Sequence, residues 1–329
     1  MATKSGCIFI QRRFASAAAA VRPSAAEVRS HRNAVFLREQ SRQRALFPRI
    51  EKIEVSMQGP GLEGTLLVMN KGMSTPLSCA RHLTEYHVTS SVLALVDGEL
   101  WPLHKPLMDS CALRLLTFKD RDPTAVNQAF WRSCSALLGQ VLETAFKDDF
   151  TVELLRSPDV PVTSGAFCCD VVLDPQLDSW APSQESLRSL TRGAQLLIHL
   201  DLPFEPLDVL PSVALEVFSH NKCKQEEVVK MASENPTGTL QLYRCGDHVL
   251  LSSSPLVART GLCSQFEVTA LHSLGSGPWG LHRRAQGLSL PTQLQAHHTV
   301  WNKLRKRAEK LVEVPNSDLT PPTSPAPSQ

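Results

Sequence analysis

The chain has 329 residues, 42% apolar and 20% charged, which is material for two ordinary domains plus tails; no stretch approaches the roughly 18 uninterrupted apolar residues of a membrane span. Its nine cysteines contain no C-x-x-C pair and no zinc-site spacing, which excludes a disulfide scaffold or zinc module and points to a reducing compartment. The net charge of +2 averages unlike parts: residues 1–50 hold ten Lys/Arg against Glu27 and Glu39, residues 281–313 hold seven against Glu309 and Glu313, and residues 51–280 hold seventeen against twenty-seven acids. Two basic ends on an acidic body suit an anionic partner, with solvated charge as the competing reading.

The first twenty-six residues carry no acid and set Lys4, Arg12, Arg13 and Arg22 among alanines and serines. This is the composition of a mitochondrial transit peptide, assigned to residues 1–30, and it lacks the long apolar core of a secretory signal. A basic unstructured terminus is the alternative. Residues 31–55 read as a basic arm, a short helix and then chain ending near Pro48. Arg32, Arg38, Arg42, Arg44 and Arg49 on it are candidate RNA contacts.

Between 56 and 123 the pattern is compact. Thr65–Met69 reads as a strand, and Thr75-Pro76 caps a helix running to about Tyr86. SSVLALVDGELW gives strand, Asp97-Gly98 hairpin and strand; CALRLLTF gives a last strand before Asp122-Pro123. Strand, helix and strands in this order describe a small α+β roll of the ubiquitin or β-grasp type.

VNQAFWRSCSALLGQVLETAF then places Val126, Phe130, Cys134, Leu137, Val141 and Ala145 on one face of a long amphipathic helix. Arg132, Ala136 and Gln140 fall four apart on a neighbouring stripe. Strands follow at Thr151–Leu155 and GAFCCDVVLD, then a helix at SQESLRSLTRGAQLLIHL opened by Ser183. DLPFEPLDVLPSVALEVFSH reads as a turn and a helix, and LQLYRCGDHVLLSS and FEVTALHSL as short strands. A last helix covers about Gln295–Glu313, and the proline-rich residues 314–329 are expected to be disordered. The fold class is therefore α+β: a β-grasp unit at 56–123, a mixed α/β domain at 124–292 and a basic helix at 293–313.

This order resembles the amino-terminal half of threonyl-tRNA synthetases, the TGS domain followed by the second additional, or editing, domain, over roughly residues 60–312. SCSALLG resembles that family's helix motif H-S-C-A-H-L-L-G-H, and GAFCCDVVLD its N-G-F-Y-Y-D-V-D-L-D strand. The resemblance implies an editing site built from histidines four apart on the helix plus a C-x-x-x-H segment, because imidazoles position water and move protons near neutral pH. Here the helix positions are Arg132 and Ala136, with Gln140 at the next family histidine. LLSSSPLV, matched mainly through Pro255, puts Ser252 and Leu256 at the cysteine and histidine positions. Alanine and leucine neither bind metal nor accept a proton, and arginine stays charged, so the editing chemistry is expected to be absent. No adenylate-forming core is recognisable, and aminoacylation is not expected.

Other candidate sites read as structure. His82 and His87 do not share a helix face, His297 and His298 are adjacent, and no H-x-x-x-H pattern occurs. Gly59-Pro60-Gly61 and GSGPWG read as turns, and Cys168-Cys169 as two buried thiols of a strand. No cofactor, metal or small-molecule substrate is expected. Lys303, Lys306, Arg307 and Lys310 share one face of the last helix, which can lie along a phosphate backbone; a solvated linker helix is the competing reading.

EKIEV, VMNKGMSTPLSCARHL, LTFKDRDP, FWRSC, GAFCCDVVLD and RRAQGLSLP also resemble a family of mitochondrial large-ribosomal-subunit proteins. That resemblance implies a non-enzymatic component in the mitochondrial matrix, held by ribosomal RNA and neighbouring ribosomal proteins, without membrane insertion. A freestanding aminoacyl-tRNA deacylase and a regulatory TGS module are the alternatives.

Overall fold

Ser24 starts the first element. Its hydroxyl accepts the Glu27 N–H at 3.2 Å while the Glu27 carboxylate accepts the Ser24 N–H at 2.8 Å, a reciprocal cap that opens α1, Ala25–Ala45. The computed structural model describes residues 23–235 and 237–314. The expected basic arm is thus a 21-residue helix, and it begins inside the segment assigned to the leader. Most of the leader and nearly all of the tail lie outside the described residues.

Strands β1 (Lys52–Gln58), β2 (Leu66–Asn70), β3 (Leu93–Val96), β4 (Glu99–Trp101) and β5 (Cys111–Leu116) form a sheet in the order β2-β1-β5-β3-β4. β1 and β5 run parallel, with Val55 opposite Cys111, and the other pairs are antiparallel. β1 starts at Lys52, ahead of the expected boundary at 56, because Ile53 already belongs to the alternation that buries Val55 and Met57. Thr75 caps α2 (Pro76–Leu83), as its Thr-Pro pair suggested. Thr84, in extended conformation, then ends that helix and caps α3 (Glu85–Ser90), so the single expected helix is two. Asp97 (φ 50°) and Gly98 (φ 89°) are both left-handed, the geometry a tight hairpin demands.

Helix α4 (Thr124–Thr144) departs from the one-faced reading. From Ala129 to Glu143 every residue except Arg132 is buried. On one side lie strands of the sheet formed by β6 (Val152–Arg156), β7 (Phe167–Leu173), β11 (Cys263–Gly277) and β12 (Gly280–Pro291), in the order β11-β12-β7-β6. On another lies α5 (Gln184–His199). A third, antiparallel sheet joins β8 (Glu205–Val209), β9 (Leu240–Cys245) and β10 (His248–Leu251) in the order β10-β9-β8. Helices α6 (Pro211–Val217) and α7 (Lys222–Glu234) pack on it, and α1 supplies Val35 and Phe36 to the same small core beside Leu207, Leu242 and Val249. Lys105 ties the first sheet to the third through Asp208, 2.6 Å away. The last helix, α8, spans His298–Ala308, shorter than expected, so Lys310 lies just beyond it. The architecture is mixed α+β with three sheets, and no described helix is long and apolar enough to cross a membrane.

Strand β12 passes Phe167 at Gly287, where a Cβ would meet the ring at 2.6 Å and the Glu267 carbonyl oxygen at 3.0 Å. The ring is itself held edge-on by Trp131, with centroids 5.3 Å apart. Gly287→Ala is expected to destabilise the fold by about 1–3 kcal/mol through overpacking, measurable as a lower denaturant midpoint. An unchanged midpoint would mean that the ring moves freely.

Candidate functional site

Helix α4 and the segment after β10 bring Arg132, Ala136, Ser252 and Leu256 around one cavity of about 100 Å³. Positions more than a hundred residues apart in sequence thus meet as the synthetase resemblance requires. Their chemistry is inert. The Arg132 guanidinium donates to the Pro255 carbonyl at 2.8 Å and to Asp159 at 2.7 Å, which fills the space with an ion pair. Ala136 is buried and offers no polar atom, and Leu256 is 1% exposed. Ser252 spends its hydroxyl on the Ser254 carbonyl at 2.7 Å. Gln140 does not share this lining; its amide donates to the Cys245 carbonyl at 3.2 Å. The scaffold is held locally by Ser133, whose hydroxyl accepts the Val257 N–H at 2.9 Å, and by Tyr243, whose hydroxyl accepts the Leu256 N–H at 3.3 Å.

One end of the cavity is closed by a buried charge network that sequence reasoning missed. Arg32 of α1 donates two hydrogen bonds to Glu143, at 2.8 and 3.1 Å, and reaches the His220 Nε2 at 2.6 Å. The His248 Nδ1 lies 2.8 Å from the same carboxylate. Burial opposes the charge on Glu143, but the Arg32 guanidinium and then His248 outweigh it and hold the carboxyl at about 2. Burial and the same guanidinium push His220 down to about 4, so it accepts from Arg32 as a neutral ring. Arg32 is 5% exposed, and the expectation that it contacts RNA is corrected: it is a structural cation of the interior.

The other basic candidates divide in two. Arg38 is engaged by Glu216, at 3.0 and 2.6 Å, and Arg42 by Glu39 in two bonds of 2.7 Å. Arg307 donates to the Thr163 carbonyl and lies over Gly165. Arg44, Arg49, Lys303, Lys306 and Lys310 are exposed, and none forms a side-chain ion pair or hydrogen bond among the described residues. Those five keep their charge available for phosphate.

Among the described residues no group of three or more His, Cys, Asp or Glu could hold a metal ion. Eight of the nine cysteines are described, all as free thiols. Cys168 and Cys169 are buried, and burial pushes both up to about 12, which makes them packing residues.

No protein-family model matches the chain. It is 41% identical over 281 residues to large ribosomal subunit protein mL39 of Drosophila melanogaster, covering 85% of this chain and 83% of the fly protein. It is also 30% identical over 238 residues to threonine–tRNA ligase 2, cytoplasmic, of Bos taurus, covering 71% of this chain and 30% of the ligase. Probable threonine–tRNA ligase 1, cytoplasmic, of Dictyostelium discoideum matches at 30% over 237 residues, 31% of its length. The chain spans less than a third of either ligase, but most of the fly ribosomal protein. A synthetase-like scaffold whose site positions hold Arg, Ala, Ser and Leu, matched along most of its length by the fly protein, belongs to the mL39 family of large ribosomal subunit proteins.

Proposed function

We propose that the chain is a structural component of the large subunit of the mitochondrial ribosome, located in the matrix, bound to ribosomal RNA and neighbouring ribosomal proteins, and without catalysis of its own. The observation that carries the last point is the cavity lined by Arg132, Ala136, Ser252 and Leu256, which collects an editing site's positions without its chemistry. A hydrolytic site needs a group that titrates or a metal to activate water, and this lining pairs its arginine with Asp159. Residues 56–123 are the TGS-like β-grasp unit; a five-stranded sheet with one parallel pair and helices α2 and α3 supports that reading. Residues 124–292 are the editing-like domain, and the acid-free start is an import signal.

The test is sedimentation of the endogenous protein through a sucrose gradient. It is expected to travel with the large mitochondrial subunit and to leave it when the particle is dissociated at high salt. A predominantly particle-free pool would refute the structural role. The purified protein, given seryl-tRNA carrying the threonine anticodon, should not accelerate deacylation above the uncatalysed rate; acceleration abolished by Arg132→Ala would establish the deacylase reading instead.

A further inference from the structure

Helices α5 and α8 and the edge strand β11 enclose a second groove, with a volume of about 490 Å³, within the range of roughly 300–1,000 Å³ that suits small ligands. It lies against the side of α8 that carries Trp301 and Arg305, round the helix from Lys303, Lys306 and Lys310. One wall is α5, whose Arg188 and Arg192 side chains are 72% and 64% exposed and share a single carboxylate, Glu185. On the opposite wall the Trp301 indole donates its N–H to Glu267 at 3.1 Å, which fixes the ring. Arg305 lies 3.5 Å from the same carboxylate and neutralises it. Two polar atoms here, the Gln265 Oε1 and the Arg305 Nε, are shielded from solvent and lack a hydrogen-bond partner. Orphaned polar atoms of this kind call for a partner outside the chain.

We propose that this groove takes an unpaired RNA nucleotide, its phosphate on Arg188 and Arg192 and its base against Trp301 and the Gln265 amide. The proposal rests on the reading of the chain as an RNA-bound ribosomal component and names the surface that reads a single strand. The lining carries three arginines against Glu267 and Glu309, too small a surplus to hold a duplex backbone by charge alone. Stacking on a fixed aromatic ring supplies what charge does not, and a single strand can present its base. An acidic peptide fits less well. It would add to the edge of β11, where the Thr191 hydroxyl already takes the Val268 N–H at 3.0 Å.

The experiment titrates the full-length protein with a short oligouridine and with a duplex RNA of equal length, over a range of salt. Arg188→Ala with Arg192→Ala, both exposed and so harmless to the fold, should lower the log–log salt slope for the single strand by about 1.4. Trp301→Leu should weaken single-strand binding about tenfold, and Trp301→Phe, which keeps a ring, by less. Duplex binding should be unchanged in all three. Wild-type behaviour of the arginine pair toward oligouridine overturns the groove proposal, as does displacement of oligouridine by polyglutamate. A wild-type chain that binds neither RNA overturns the RNA-bound reading itself, which separates the two failures.

Discussion

Glu143→Gln is expected to cost the fold about 3–5 kcal/mol, because it leaves the Arg32 guanidinium buried without a counter-charge. Arg32 and Glu143 are each only 6% exposed at the side chain, so water cannot compensate. Adding Arg32→Met to Glu143→Gln should recover most of the loss, since removing both charges removes the desolvation cost as well. Chemical denaturation of the two variants checks this; a double variant no more stable than the single one would mean the pair is not the cause. The same network sets an acid limit. Glu143 is held at about 2 against a reference of 4.5, so the stability it contributes is full above about 4.5 and lost as the pH falls toward 2. His220 is depressed to about 4 from 6.5, so between those values the unfolded chain takes up the proton first and stability falls with the pH. Two successive losses are expected in a stability–pH profile, and Arg32→Met should shrink both.

The second large effect concerns RNA. Neutralising Lys303, Lys306 and Lys310 together should flatten the log–log salt dependence of RNA association by about 3, one unit for each phosphate contact removed. The lysines have no side-chain partner among the described residues, so nothing within the fold competes for them. Neutralising Arg32 should leave the slope unchanged while lowering stability, because its charge never reaches solvent. Salt titration of the purified variants reads both results. An unaltered slope in the lysine variant would leave α8 as a linker.

Which parts of this structure were legible in the sequence follows from where side-chain charge lies. The first sheet and its cap were readable because Ile53, Val55 and Met57 alternate, Thr75 precedes proline, and Asp97-Gly98 marks the hairpin. Strand β12 was not, because buried Arg283, Arg284 and Gln286 break the apolar pattern. Arg284 is tolerated there only because Asp170 of β7 accepts from it at 2.7 and 2.8 Å, a partner more than a hundred residues away. Strand β8 was masked by Pro206 and Asp208, residues that argue locally for a turn. Helix α1 was read as an arm because its buried residues include Arg32 and Glu39 beside Val35 and Phe36. The site was legible in its four positions through resemblance alone; that they share a cavity needed the fold, and Glu143, His248 and His220 carried no local signal.

The docking of α1 also orders the assembly of the molecule in time. Its arginine meets Glu143 across 111 residues of chain and His220 across 188, and its apolar pair fills a core otherwise built from residues 207–251. The helix is made first, yet it has nothing to pack against until the third sheet exists, and an isolated helix of this length is marginal in water. The smaller core therefore closes late, through contacts of high sequence separation that slow a folding reaction. During synthesis the earliest helix waits for the last third of the chain, and until then Val35 and Phe36 stand exposed as a surface for chaperones.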